Sequence, residues 1–404
     1  MGRVARRPCS RSGCESALMV TLPAIPCQCR NRSRVSSDKG LDLRYRYREA
    51  VGMLTSRLAR GLATTVALAA VAATVTPGSA AAAGSHQRAI PAHVFAPYFQ
   101  TYKPGDPAEQ AAASGARYLT MAFLQTPVAG SCEATWDGDP KRPISQAEYG
   151  DSIKRLRAMG GDVIASYGGG DASGHGTDIA DSCTDVDKIA ENFEQVITTY
   201  DITRIDLDVE GPMQKNLAGV DRRNKAIAKV EKWAAANHRV IQFDYTVPTD
   251  VIGITQGSRD MLANAKANGA DIHIVNIMTF DYYDDQPHQM AADTKTAANL
   301  LLADLRALHP GTPDTKLWEQ VGIIEMVGVD DYGSGGETGP LEIFTPRDAI
   351  DVTVWSWLHN IGSLSFWALG RDSGSCPGEH SDACSGVQQA PWQYTRTMGA
   401  FTHN

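Results

Sequence analysis

The stretch Ile205-Asp206-Leu207-Asp208-Val209-Glu210-Gly211 sets three carboxylates two residues apart, with apolar residues in the gaps between them. Successive side chains of a β-strand point to opposite faces, so this spacing puts Asp206, Asp208 and Glu210 on one face and Ile205, Leu207 and Val209 on the other. Carboxylates crowded in this way cannot all be ionised at neutral pH, because like charges at short range force protons back on. A row of this kind makes a raised-pKa acid beside a hydrogen-bonding network, the arrangement that acid–base catalysis needs. The competing reading is an edge strand with a solvated acidic face. The apolar side, which reads as packed against helices, and the turn glycine that follows argue against it.

Outward from this strand the chain repeats one theme: a short apolar run, a loop, then a helical stretch. The runs are 93–99, 117–124, 162–167, 204–210, 240–247, 272–281, 317–327 and 363–369. Eight such runs alternating with helices predict an α/β fold, a (β/α)8 TIM barrel of parallel strands. Helical patterns cover 144–159, 184–200, 221–237, 258–268 and 291–309, the first with Ser145 three residues ahead of Glu148 in capping-box spacing. No Pro- or Ser-rich linker interrupts the alternation, so residues 84–404 read as one domain.

The formal net charge of -8 is unevenly spread. Residues 1–83 hold 13 Lys and Arg against 4 Asp and Glu, a balance of +9, which leaves -17 for residues 84–404. So acidic a domain is unsuited to nucleic acid or an anionic membrane surface as partner. Residues 53–83 read as a secretory signal peptide: Arg57 and Arg60, an apolar run from Leu62 to Val75, then small residues up to Ala83. The run is shorter than a membrane span requires. Residues 1–52 read as a mis-assigned or disordered extension, with Met53 as the true start. Export implies an oxidising compartment, in which Cys132, Cys183, Cys376 and Cys384 are disulfide candidates. Cys376 with Cys384 closes the smallest loop, although four cysteines allow three pairings.

In a barrel of this type chemistry gathers at the C-terminal ends of the strands. Glu210 ends the fourth run; the third ends Ser166-Tyr167-Gly168-Gly169-Gly170, the sixth Met278-Thr279-Phe280-Asp281-Tyr282-Tyr283, and the eighth carries Phe366 and Trp367. In this order the motifs Ser166-x-Gly168-Gly169, Asp206-x-Asp208-x-Glu210, Met278-x-x-Asp281 and Trp367 resemble glycoside hydrolase family 18. Within that family the stretches 166–211 and 245–283 are most similar to a bacterial and archaeal subgroup of secreted chitinases. The resemblance implies hydrolysis of β-1,4 bonds next to N-acetylglucosamine, with the substrate's own acetamido group as nucleophile. It implies Glu210 as general acid and base, Asp208 orienting the acetamido group, and Asp206 sharing a proton beneath. Trp367 would floor the sugar, and Met278 and Asp281 would line the acetamido pocket. Neither metal nor organic cofactor is implied. The expected partner is chitin or an N-acetylglucosamine oligosaccharide, met by a secreted, monomeric protein.

Two positions depart from the family pattern. Thr203 stands where a further aspartate precedes the acidic row, and Phe280 replaces a tyrosine whose hydroxyl holds the acetamido oxygen. Tyr282 and Tyr245 are the candidates to supply that hydroxyl. An endo-β-N-acetylglucosaminidase acting on N-glycans and a non-catalytic chitin-binding lectin remain as alternatives. Asp330, Asp331 and Tyr332, after the seventh run, are expected on the functional rim. Trp136, Trp318, Trp355, Trp357 and Trp392 read as packing before they read as sugar platforms.

Overall fold

Eight parallel strands, labelled here β1 to β8 in chain order, curl into a barrel in the computed structural model, which describes residues 89–331, 340–379 and 381–402. β2 is Tyr118–Gln125, β3 Asp162–Gly168, β4 Arg204–Asp208, β5 Gln242–Asp250, β6 Ile274–Met278, β7 Val321–Met326 and β8 Ser363–Trp367. β1 comes in two pieces, Val94–Phe95 paired with β8 and Tyr98–Gln100 paired with β2, and so closes the ring. The break falls at Ala96-Pro97, where proline has no N–H to donate to a ladder. Hydroxyls mend the gap: Thr120 and Ser365 both donate to the Ala96 carbonyl, at 3.1 and 2.7 Å.

The seventh run is corrected at its start. Leu317 and Trp318 close a short helix, Asp314–Trp318, and the strand begins at Val321. The sixth run is shorter than its apolar pattern, so Phe280 and Asp281 belong to the loop after β6. The capping box at Ser145 does not form. The Ser145 side chain caps nothing, its N–H donates to the Tyr200 hydroxyl at 3.1 Å, and the Glu148 carboxylate accepts from Arg142 at 2.7 Å. A wide turn over Gln146–Gly150 therefore precedes the helix Asp151–Ala158.

The alternation read in β4 holds around the barrel. Ile205 and Leu207 are buried in the layer between sheet and helices, as are Phe243, Tyr245 and Val247 of β5. The helices Val186–Tyr200 and Leu217–Ala236 flank β4 in sequence, with their N-termini capped by the side chains of Asp185 and Asn216. Inside the ring a small apolar cluster of Val94, Ala96, Tyr118 and Ile164 lies apart from this main core. The rest of the interior is unusually polar, and the buried acids lie there.

Two disulfides join Cys132 to Cys183 and Cys376 to Cys384, with Cα atoms 4.6 and 6.0 Å apart. The first spans 51 residues and ties the loop after β2 to that after β3, constraining the unfolded chain more than the second, which spans 8. Among the described residues no helix is long and apolar enough to cross a membrane. The proposed leader and signal segment, with Tyr332, lie outside the described residues.

Candidate active site

β4 delivers its acids in a column. Asp206 is the deepest and fully buried, and its carboxylate accepts from three hydroxyls: Tyr98 at 2.9 Å, Ser166 at 2.6 Å and Thr246 at 2.6 Å. Burial pushes its pKa up to about 6 against the pull of those donors. The Tyr98 phenol, buried beside two acids, has its own pKa raised well above the usual value, so it remains a donor. Asp208 comes next. Burial, then the charges of Glu210 and Asp206, raise its pKa strongly, and its Oδ1 has no hydrogen-bond partner among the described residues. Glu210 lies just beyond the strand; burial pushes it up to about 7, opposed by the hydrogen bond from Asp208 and supported by the nearby charge of Asp331. Asp208 and Glu210 therefore titrate as a pair sharing a proton.

The backbone around Glu210 is held from three sides. Val209 N–H donates to Thr246 O at 2.9 Å, Gln214 donates to Val209 O at 2.8 Å, and the Ser173 hydroxyl donates to Glu210 O at 2.8 Å. The glycines after β3 are required by close approach. A Cβ on Gly168, whose φ is +100°, would lie 2.1 Å from the Asp208 carbonyl oxygen, and one on Gly169 would lie 2.7 Å from the Phe123 ring. Gly169 N–H donates to that same Asp208 carbonyl at 3.1 Å. Ser166, Gly168 and Gly169 thus sit behind the acids, and Gly170 reaches the cavity wall.

Above the column a cavity of about 880 Å³ opens at the C-terminal ends of the strands. Asp208, Glu210, Met278, Asp281 and Trp367 all line it. Trp367 is stacked on Phe123, with ring centroids 5.6 Å apart and planes 14° apart, and Tyr98 lies 5.7 Å away on another side. Asp331, expected on the rim, lines the cavity, and beyond the residues read from sequence the lining includes Tyr98, Phe123, Gln125 and Thr246. These carried no motif signal; only the strand register, which pairs Asp208 with Thr246, brings them to the acids.

Two candidates are corrected. Tyr245 points away from the cavity, since it alternates with the inward Thr246, and its hydroxyl donates to Asn224 on the flanking helix at 2.9 Å. Tyr282 is buried behind the β6 loop with its ring 4.6 Å from that of His288. Neither offers a hydroxyl where Phe280 lines the cavity, while Tyr283 reaches the lining instead. Trp136 packs inside, donating to the Tyr200 hydroxyl, and Trp318 and Trp355 pack against each other and His359.

Asp281 adopts a positive φ of 55°, which turns its carboxyl toward Asp330 and Asp331. Oxygens of the three lie within 4.8 Å of one another, a set that could hold a cation. The buried Arg371 guanidinium already brings positive charge to all three. Burial and the two neighbouring acids push Asp281 up to about 11, so it carries a proton and can donate.

A (β/α)8 barrel whose fourth strand feeds a proton-sharing acid column into an aromatic-floored mouth has the construction of a glycoside-hydrolase barrel. The family model for glycosyl hydrolases family 18 matches residues 94–335, and the chain belongs to that family. It is 31% identical over 301 residues to a probable bifunctional chitinase/lysozyme of Escherichia coli, covering 72% of this chain and 32% of that protein. It is 30% identical over 300 residues to Endochitinase 11 of Metarhizium anisopliae, covering 72% of this chain and 54% of that one. The chain thus spans about a third and about half the length of these two curated relatives. Among solved structures, catalytic-site mutants of active domain 2 of the thermostable chitinase from Pyrococcus furiosus, complexed with chito-oligosaccharides, superpose with a TM-score of 0.68 at 27% identity, over 79% of this chain and 97% of that one.

Proposed function

We propose that the protein is a secreted chitinase that hydrolyses β-1,4 bonds of N-acetylglucosamine polymers by a retaining, substrate-assisted mechanism. The observation that carries this reading is the acid column itself: Asp206 sealed by three hydroxyls, Asp208 with an oxygen that has no partner among the described residues, and Glu210 at the cavity with its pKa pushed up to about 7. Glu210 in its protonated form donates to the glycosidic oxygen as that bond breaks. Asp208 accepts from the acetamido N–H, aims the carbonyl oxygen at the anomeric carbon and balances the charge of the oxazolinium ion that forms. Water, deprotonated by Glu210, then opens that ion and returns the proton to Glu210. Asp206 supports Asp208 from below, and Trp367 on Phe123 is the platform for the distorted sugar. With Phe280 lacking a hydroxyl, protonated Asp281, on the same loop and in the cavity lining, donates to the acetamido oxygen.

The signal-type segment at 53–83 and the two disulfides support export, and in this reading residues 84–404 form the mature chain and act as a monomer. The relatives' printed activities and the oligosaccharide-bound Pyrococcus domain support the substrate class. The missing hydroxyl at Phe280 favours one second reading, a lectin that binds chito-oligosaccharides without cutting them. Mass-spectrometric analysis of products from a soluble N-acetylglucosamine hexamer, run beside Glu210→Gln, separates the two. Cleavage by the wild type alone supports the enzyme; binding without products from either chain selects the lectin.

A further inference from the structure

The inward face of β4 does not end at Asp206. Two residues below it, by the same alternation, stands Arg204, with no exposed surface. Asp206 lies in register with Asp244 of β5, also inward and buried, and Arg204 in register with Gln242. Asp244 is gripped from two sides: Arg204 Nε lies 3.7 Å from its Oδ2, and His273 Nδ1 lies 2.6 Å from its Oδ1. Gln242 steadies the guanidinium, accepting from Arg204 at 3.1 and 3.3 Å. His273 is 22% exposed, at the N-terminal rim of the barrel opposite the cavity. Thr203, at the position where the family pattern carries a further acid, is in phase with Ile205 and Leu207, two residues apart along the chain, and so shares their outward side. The inward carboxylate beside the column comes instead from β5.

We propose that Asp244, held by Arg204 and His273, is a positioning residue that governs how the Asp206–Asp208–Glu210 column holds its proton. Among the described residues the other titratable and hydroxyl groups facing Asp206 are Tyr98 from β1, Ser166 from β3, Asp208 from its own strand and Thr246 from β5. The three hydroxyls stabilise the Asp206 anion, whereas the Asp244 carboxylate opposes it. Arg204, ion-paired to Asp244 and two residues below Asp206 on the same face, offsets that opposition. The pair thus acts as a set of opposed fixed charges in a site of low dielectric, where a single charge matters far more than at the surface. The proposal rests on the chitinase reading for its catalytic consequence only.

The signs are opposite for the two charges, and that makes the test. Asp244→Asn removes a negative neighbour, so Asp206 ionises more easily and the acid limb of the kcat profile moves to lower pH by about one unit. Arg204→Met leaves Asp244 unbalanced and moves the same limb to higher pH by a similar amount. Arg204→Lys, which keeps a positive charge at the same place, leaves the limb where it is, and it keeps the test open if Arg204→Met does not fold. Hydrolysis of the soluble hexamer across pH reads the limb. Carboxyl 13C resonances of aspartate-labelled full-length protein read the Asp206 titration without turnover. Opposed shifts support the proposal. Acid limbs that stay in place, or move together, while stability alone falls would overturn it. If the wild type cuts nothing, the chitinase reading fails, and the carboxyl titrations still decide the part played by Asp244.

Discussion

Replacing Gly168 by alanine tests the link between backbone geometry and the acid column. The φ of +100° costs an L-residue on the order of 1–3 kcal/mol. The new methyl would lie 2.1 Å from the Asp208 carbonyl oxygen, which is backbone and cannot swing aside, so overpacking adds about 1–3 kcal/mol more. A loss of roughly 2–6 kcal/mol is expected, a drop of several degrees in Tm for a domain of this size. To relieve the clash β4 must move away from β3, carrying Asp208 with it, and a shift of about 1 Å in a reacting group costs about 100-fold in rate. Gly174 is the internal control, since a Cβ there meets nothing within 4 Å and the residue lies in a helix, where alanine is favoured by about 1 kcal/mol. Thermal unfolding and hexamer hydrolysis, measured on both variants, check this. A Gly168→Ala protein as stable and active as wild type would show that the tight contact between the third and fourth strands does not hold Asp208 in place.

Glu210→Gln should lower hexamer hydrolysis by about 100- to 10,000-fold while calorimetry still detects oligosaccharide binding, since only the transferable proton is lost. Activity should fall as pH rises through about 7, where the Glu210 carboxyl gives up its proton. Stability should fall over a related range: Asp206, Glu210 and Glu325 have folded pKa values raised to about 6, 7 and 8, so each favours the folded state below its unfolded pKa and loses that contribution as pH rises through the folded value. The Tm should therefore be higher at pH 5 than at pH 8, and Glu325→Gln, which removes a buried acid outside the cavity, should flatten the dependence. A flat wild-type profile would contradict those shifts. Phe280→Tyr restores a hydroxyl at the cavity wall, and one hydrogen bond of ordinary strength should raise kcat/KM by about two- to ten-fold; an unchanged value would mean that another group already holds the acetamido oxygen.

Much of the fold and the acid column is legible in the chain itself, because both rest on local periodicity. The two-residue spacing of Asp206, Asp208 and Glu210 determines that they share a face whatever surrounds them, and the strand–helix alternation determines a barrel. Tyr245 shows where such reading could have gone further. It alternates with Thr246, so period alone would have assigned it to the outer face once the strand was aligned. Residues contributed by other strands were out of reach. Tyr98 lies 108 residues from the carboxylate it serves and carries no motif, and Ser166, 40 residues away, is marked by its motif but by nothing that makes it a donor to Asp206. The pKa values belong to this second class as well. A carboxyl's tendency to hold a proton depends on which groups have been stripped of water and which charges face it. Only the closed barrel decides that, by registering β4 against β3 and β5 and by setting Arg204 and Asp244 beneath the acids that the sequence had already lined up.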